Sequence, residues 1–552
     1  MSFGRDFGRR NVGRRTFLGA GLAAASAGLT FGGLPLTALA QDRRLTTVGG
    51  VAKTKYGQVR GLVKDGVQQF WCVPYGAPTS GANRFMPPQK PAAWSGVKDH
   101  FEITWAAPME PGGTEPSPVV TALNRLTPQS EDCLSVNVFT PGVDKKRRPV
   151  MVWMHGGGFS AGSGNYLLYD GTNLAKKEDV VVVSVNHRLN IFGYLHLADM
   201  GGEKWAGATN VGIQDLAASL EWVRDNIENF GGDPGRVTIF GQSGGGGKTT
   251  TVMAMPSAKG LFHRAIAQSG SAFRGQSADD ASAGAEQLLA RLGIAKNQLE
   301  KIQQIDWHDI QKAYYAEPRI ARLGNGPVID GKILPRHQWD PTAPSYSANV
   351  PLLAGSVENE NGWVGPPPYE LADAEMQDRF TKRLANGDAA EGQKLLGMYK
   401  RLHATTRNQM LWLMAEADDQ RRASAQALCK LKFEQGTAAS YLYFFDWQSP
   451  VHNDRMGAYH TLDIPFVFYN MDSGASMTGS AQERYQLGHV MSAAWAAFAR
   501  TGDPNHADMP RWPKFDPSTY PTMIFDSTVR VANDPNKEER LALAALRQKR
   551  SS

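Results

Sequence analysis

The sequence predicts an α/β fold, a mainly parallel central sheet flanked by helices, and two observations carry that expectation. Short β-rich runs alternate with helical stretches along most of the chain, the rhythm of strands joined by helical crossovers. Several of these runs are apolar at nearly every position, as strands buried on both faces should be. Val150–Met154 (VMVWM), Val180–Val185 and Val237–Phe240 are the clearest. Between the last two, residues 215–230 (DLAASLEWVRDNIENF) set Leu216, Leu220, Val223 and Ile227 on one helical face, and Gly231, Gly232, Asp233 and Pro234 stop the helix. A strand–helix–strand crossover follows. Further strands are expected at Ala265–Ala267, Pro351–Ala354, Tyr441–Phe445 and Met523–Phe525. The stretches at about 278–322 and 370–436 read as helical insertions over one end of the sheet, because no Ser- or Pro-rich linker and no internal repeat divides the chain.

With 552 residues, 41% of them hydrophobic and 20% charged, the chain has material for a large core and is not a mainly disordered protein. Three cysteines, Cys72, Cys133 and Cys429, are too few for a disulfide scaffold and too scattered for a zinc cage. Residues 1–40 read as a targeting segment. Arg14 and Arg15 precede Thr16, Phe17 and Leu18, and a Gly/Ala/Leu-rich stretch runs to Ala38-Leu39-Ala40, so cleavage would leave Gln41 first. This resembles a bacterial twin-arginine signal, which implies export of an already folded protein to the periplasm or beyond. Retention as an anchor is the alternative, since about 20 apolar residues can span a bilayer. No later run is long and apolar enough to do so, and no stable membrane association is expected after cleavage. Arg5, Arg9, Arg10, Arg14 and Arg15 against Asp6 supply +4 of the formal net charge of +6. The basic character therefore belongs largely to the leader. The remaining basic run, Lys145–Arg148, reads as a solvated turn before a strand, so a nucleic-acid partner has little support. Oligomeric state is not legible.

The pattern G-x-S-x-G marks a tight strand-to-helix turn that holds a serine hydroxyl up for attack, and the chain contains it twice. Gly241-Gln242-Ser243-Gly244-Gly245 directly follows the strand Val237–Phe240, and the helix after it would turn its positive end toward an oxyanion. Gly158-Phe159-Ser160-Ala161-Gly162 has no strand leading into it, and Ser160 reads as a loop residue. Residues 243–249 (SGGGGKT) also look like a phosphate-binding loop. The spacing G-x-x-x-x-G-K-[ST] fails, however, because its first glycine falls on Gln242. A hydrolytic serine further needs donors aimed at the developing carbonyl oxyanion, and His155-Gly156-Gly157-Gly158-Phe159, at the end of a strand, offers bare glycine backbone for that purpose.

These motifs, taken in order with residues 131–138 (EDCLSVNV), 186–189 (NHRL), 230–245 (FGGDPGRVTIFGQSGG), 268–270 (QSG), 327–331 (PVIDG) and 459–466 (YHTLDIPF), resemble the type-B carboxylesterase family of para-nitrobenzyl esterases and cholinesterases. The resemblance covers nearly all of the chain after the leader. It implies an α/β-hydrolase fold with insertions over the active-site end, and a serine carboxylic-ester hydrolase acting through an acyl-enzyme on small aryl or alkyl esters. It also implies Ser243 as nucleophile, Glu360 as acid, His460 as base, and the N–H groups of Gly157, Gly158 and Gly244 as the oxyanion hole. Glu358 is the alternative acid, because Asn361 stands where the family has a glycine. Gly244 departs from the usual alanine. Phe159 and Phe273 are candidate walls of the substrate pocket, and Ser269 is a candidate hydrogen-bonding residue behind the site. The chemistry calls for no metal and no organic cofactor. Buried ion pairs Arg84–Glu131 and Arg188–Asp215 are implied as well, and Cys133, whose usual disulfide partner is absent, is expected as a free buried thiol. A non-catalytic binding protein on the same fold is the alternative function.

Overall fold

The computed structural model describes residues 46–110, 118–123, 127–317, 326–362, 370–451 and 455–551; the expected leader, residues 1–40, lies outside them. The strands are β1 (Thr47–Lys53), β2 (Gln58–Lys64), β3 (Val67–Pro74), β4 (Ser135–Thr140), β5 (Arg148–Met154), β6 (Val181–Val185), β7 (Gly232–Gln242), β8 (Arg264–Gln268), β9 (Leu352–Val357), β10 (Ser440–Phe445), β11 (Pro521–Phe525) and β12 (Arg530–Asn533). They form one sheet in the order β1-β2-β3-β4-β6-β5-β7-β8-β9-β10-β11-β12, with the short strand Val97–Asp99 beside β2. From β6 to β11 every pairing is parallel. The flanks β1-β2-β3-β4-β6 and β11-β12 are antiparallel. The expected parallel sheet is thus the centre of a larger mixed one.

Alternation explains why the central strands are apolar throughout. Val150, Val152 and Met154 of β5 enter the core on one face, while Met151 and Trp153 enter the core on the other. β6 divides in the same way, with Val181, Val183 and Val185 against Val182. The first face is covered by α1 (Val211–Asn226) through Ile213, Leu216, Leu220 and Val223. The expected helix therefore starts four residues earlier than its apolar period suggests, and its last turn, Ile227–Phe230, tightens to 3₁₀ before Gly231 at φ 76°. After β7 comes α2 (Gly244–Val252).

The first insertion holds α3 (Ala278–Arg291) and α4 (Trp307–Tyr315), whose Leu288, Leu289, Ile310 and Tyr314 share a satellite core with Phe192 and Trp205. In the second, α5 (Ala389–Leu402) and α6 (Asn408–Ala417) build another with Phe380 and Leu543. α7 (Ala423–Gln435) instead packs Leu428 and Cys429 on the first face of the sheet. The second face is covered by α8 (Glu483–Thr501) through Leu487, Met491, Trp495 and Phe498. α9 (Lys537–Ser551) supplies Leu543 and Leu546 to the second satellite core. Among the described residues no helix is long and apolar enough to cross a membrane.

Both implied ion pairs are present and buried. Arg84 grips Glu131 with two bonds of 2.6 Å and also donates to the carbonyl of Ile302. Arg188 meets Asp215 at 2.6 and 2.8 Å, with side chains 2% and 0% exposed. Cys133 is free and buried, as are Cys72 and Cys429. One sequence reading is corrected: Lys145, Lys146 and Arg147 are solvated, but Arg148 is buried as the first residue of β5. It is paid for there by Asp144 at 2.7 Å and Asp179 at 2.6 Å.

Candidate active site

β7 ends at Gln242, and the chain reverses into α2 through Ser243 at φ 60°, ψ −125°. A non-glycine residue held in that region costs about 1–3 kcal/mol, so the surroundings must enforce it. They do so by close packing. A Cβ on Gly241 would lie 2.5 Å from the Met154 carbonyl oxygen, one on Gly245 would lie 1.9 Å from the same atom, and one on Gly270 would lie 1.8 Å from Ser243 O. The Ser243 N–H donates to Gln268 O at 2.8 Å, tying the turn to the end of β8. Ser243 itself is half-buried. Ser160 sits in the other G-x-S-x-G, within the turn closed by Ala161 N–H donating to Gly157 O at 3.0 Å.

That turn belongs to the glycine loop after β5. Gly157 and Gly158 take φ 92° and 61° and are exposed. Gly158 lies against the start of α2, where a Cβ on Gly244 would stand 2.3 Å from both its N and its O. Backbone from two separate segments therefore converges beside Ser243.

Glu360 and His460 come from the loops after β9 and β10. Asn359 clamps the two loops: its N–H donates to Ala458 O at 2.8 Å and its Oδ1 accepts from Ala458 N–H at 2.9 Å. Glu360 is 2% exposed, and its Oε1 accepts from Val357 N–H at 3.2 Å. Its Oε2 lies 2.5 Å from Nδ1 of His460, which is 5% exposed. The carboxylate beside the imidazole is thus that of Glu360. Glu358 points elsewhere, accepting from Gln448 at 2.8 Å, and burial followed by the nearby Asp446 pushes its carboxyl well above the usual range.

Two residues without a sequence-derived role also belong here. Gln242 Nε2 stands 3.3 and 3.4 Å from the two ring nitrogens of His460, which brings the residue preceding Ser243 against the imidazole. Asp463 is fully buried behind the pair, accepting from Gln268 Nε2 at 2.8 Å and Tyr443 Oη at 3.0 Å. Burial pushes its carboxyl up to about 6; Gln268, Tyr443 and His460 oppose the shift, and the negative charge of Glu360 adds to it. Asp463 lies inside the YHTLDIPF motif, where only its spacing from His460 could have signalled it.

Phe159 and Phe273 are half-buried and pack on the first-face core. The Phe159 ring meets Tyr194 edge-on at 5.4 Å and lies beside Gly247 of α2. Ser269 is close, donating its N–H to Gly355 O at 2.8 Å, but its buried Oγ has no hydrogen-bond partner among the described residues, so the implied side-chain bond is not formed. Among the described residues there is no cluster of three metal-ligating side chains.

The fold defines the class first: a hydrolase of the α/β type. Residues 49–543 match the Carboxylesterase family, and the chain belongs to that family. It is 36% identical over 509 residues to the para-nitrobenzyl esterase of Bacillus subtilis, covering 89% of this chain and 98% of that one. It is 30% identical over 516 residues to the phenmedipham hydrolase of Pseudarthrobacter oxydans, covering 90% and 99%. Among solved structures, a carboxylesterase of Geobacillus stearothermophilus superposes with a TM-score of 0.76 at 34% identity, covering 89% of this chain and 99% of its own. An esterase of Clostridium hathewayi that can hydrolyse aliphatic aromatic polyesters gives 0.78 at 32% identity, covering 91% and 100%. The protein is a serine carboxylic-ester hydrolase.

Proposed function

We propose that this esterase cleaves small aryl and alkyl esters through an acyl-enzyme on Ser243. A neutral hydroxyl is a weak nucleophile, so His460 takes its proton as Oγ attacks the ester carbonyl. Glu360 holds the proton-bearing Nδ1 of His460 and stabilises the imidazolium that forms. The N–H groups of Gly157, Gly158 and Gly244 receive the oxyanion. His460 then protonates the departing alcohol and activates the water that releases the acid. The reading rests above all on the 2.5 Å Glu360–His460 contact lying against Gln242, the residue before the elbow serine. The substrate class is supported by the relatives whose names specify para-nitrobenzyl and phenmedipham hydrolysis.

Residues 1–40 serve, in the same reading, as a twin-arginine leader that sends the folded enzyme out of the cytoplasm. The test of the chemistry is labelling with a fluorophosphonate followed by peptide mapping. Wild-type protein is expected to carry the adduct on Ser243, and Ser243→Ala to lose both the adduct and p-nitrophenyl acetate turnover. Undiminished labelling of Ser243→Ala would refute the assignment.

A further inference from the structure

The three amides of the oxyanion hole come from two elements, Gly157 and Gly158 from the loop after β5 and Gly244 from the start of α2. Donors of this kind act only when held to within about 0.5 Å of the working geometry. One side chain bridges the two elements at the base of the loop. Lys248, one turn beyond Ser243 on α2, is 0% exposed, and its Nζ donates to the His155 carbonyl at 2.9 Å. The same Nζ is 3.5 Å from His155 Nδ1. His155 is the first residue of the glycine loop. Its far side is fixed by Gly162, where a Cβ would meet Gly156 O at 2.4 Å and His155 Nδ1 at 2.5 Å, and its ring stacks on His187 at 5.1 Å.

We propose that Lys248 is a positioning residue that locks the oxyanion loop to the helix carrying Ser243 through its bond to the His155 carbonyl. The inference rests on the roles given above to Ser243 and the three amides.

The electrostatics agree with that role. Among the described residues no carboxylate pairs with Lys248, and burial holds its amine well below the usual lysine range. Burial, with Lys248 adding to it, does the same to His155, and His187 is shifted in the same direction. The bond to the His155 carbonyl does not depend on that charge, since amine and ammonium both carry an N–H to donate. An apolar side chain of similar length would fill the space without the desolvation cost, so what the amine adds is the bond.

The experiment compares wild type, Lys248→Met, Lys248→Gln and Ser243→Ala on p-nitrophenyl esters, with a trifluoromethyl ketone as oxyanion-forming inhibitor and a melting curve for each. Misplacing the amides weakens the transition state more than the bound ester, so Lys248→Met is expected to lower kcat about 10- to 100-fold with KM within about twofold. Inhibitor affinity should fall in parallel while the melting temperature holds or rises. Lys248→Gln, which keeps an N–H on a slightly shorter arm, should recover part of kcat. Wild-type kcat and inhibitor affinity in Lys248→Met would overturn the proposal, as would a loss confined to KM, or losses in both variants that simply track lowered melting temperatures. If neither variant folds, Lys248 is a core residue and the proposal also falls. Turnover that survives in Ser243→Ala would instead sink the reading of the site on which the proposal rests.

Discussion

At Gly244 the side chain is a hydrogen because the neighbouring loop occupies the place of a methyl group. A Cβ there would meet Gly158 N and O at 2.3 Å, and both are backbone atoms that cannot swing aside. The alanine that the family resemblance leads one to expect would push the loop away from Ser243. Gly244→Ala is therefore expected to lower kcat about 10- to 100-fold with a smaller change in KM, read from steady-state kinetics across acyl lengths. The motif alone could name the Gly244 amide. It could not show that a methyl group is excluded, because that depends on the distance between two segments far apart in the sequence. The acid presents the same contrast. Two glutamates, Glu358 and Glu360, stand two residues apart, and only the folded loops show that one meets His460 and the other Gln448. Glu360→Gln is expected to lose about 10³- to 10⁴-fold in kcat, as removal of the orienting carboxylate does elsewhere, with Glu358→Gln staying close to wild type. Comparable losses in the two variants would reassign the acid.

The legible elements are those whose burial leaves a regular trace. β5 to β11 were readable because strands covered on both faces must be apolar at successive positions, and α1 because its apolar face repeats at helical spacing. The antiparallel flank leaves no such trace. β1 is largely exposed and β2 largely half-buried, and β4 carries Asn137 at its centre, a polar residue that bonds Cys72 N–H, Gly164 O, Asn165 and Ser184. A search for apolar runs passes over such a strand. The network behind the site was equally invisible, because it joins three elements and a loop: Trp495 of α8 donates to Gln268 at the end of β8, and Gln268 and Tyr443 of β10 donate to Asp463 in the loop that carries His460. Its energetic signature is testable. With its folded-state value raised by burial from 3.8 to about 6, Asp463 binds its proton more tightly in the folded chain than in the unfolded one. Its contribution to stability is therefore greatest at low pH and is lost as pH rises through that interval. Asp463→Asn cannot ionise, so between pH 5 and pH 8 wild type should lose about 1–2 kcal/mol relative to it, measured by urea unfolding of both proteins. A difference that stays constant with pH would show that Asp463 does not titrate in this range.

Across the whole molecule, stability rests on packing and buried ion pairs rather than covalent staples. Residues Leu45–Ser552 form one compact unit with two cores on the faces of the sheet and satellite cores beneath the insertions, and all three cysteines are free. Burial pushes the Cys429 thiol up to about 12 and raises Cys133 as well, which keeps both thiols protonated and unreactive at neutral pH. Folding therefore needs no oxidising compartment, which is the condition for a chain that completes its fold in the cytoplasm before export. That property makes the proposed leader testable apart from the chemistry. Arg14→Lys combined with Arg15→Lys should hold the protein in the cytoplasmic fraction in an active state, with specific activity within about twofold of the exported enzyme and a melting temperature unmoved by dithiothreitol. Unaltered export of the double variant would show instead that the arginine pair is not the address.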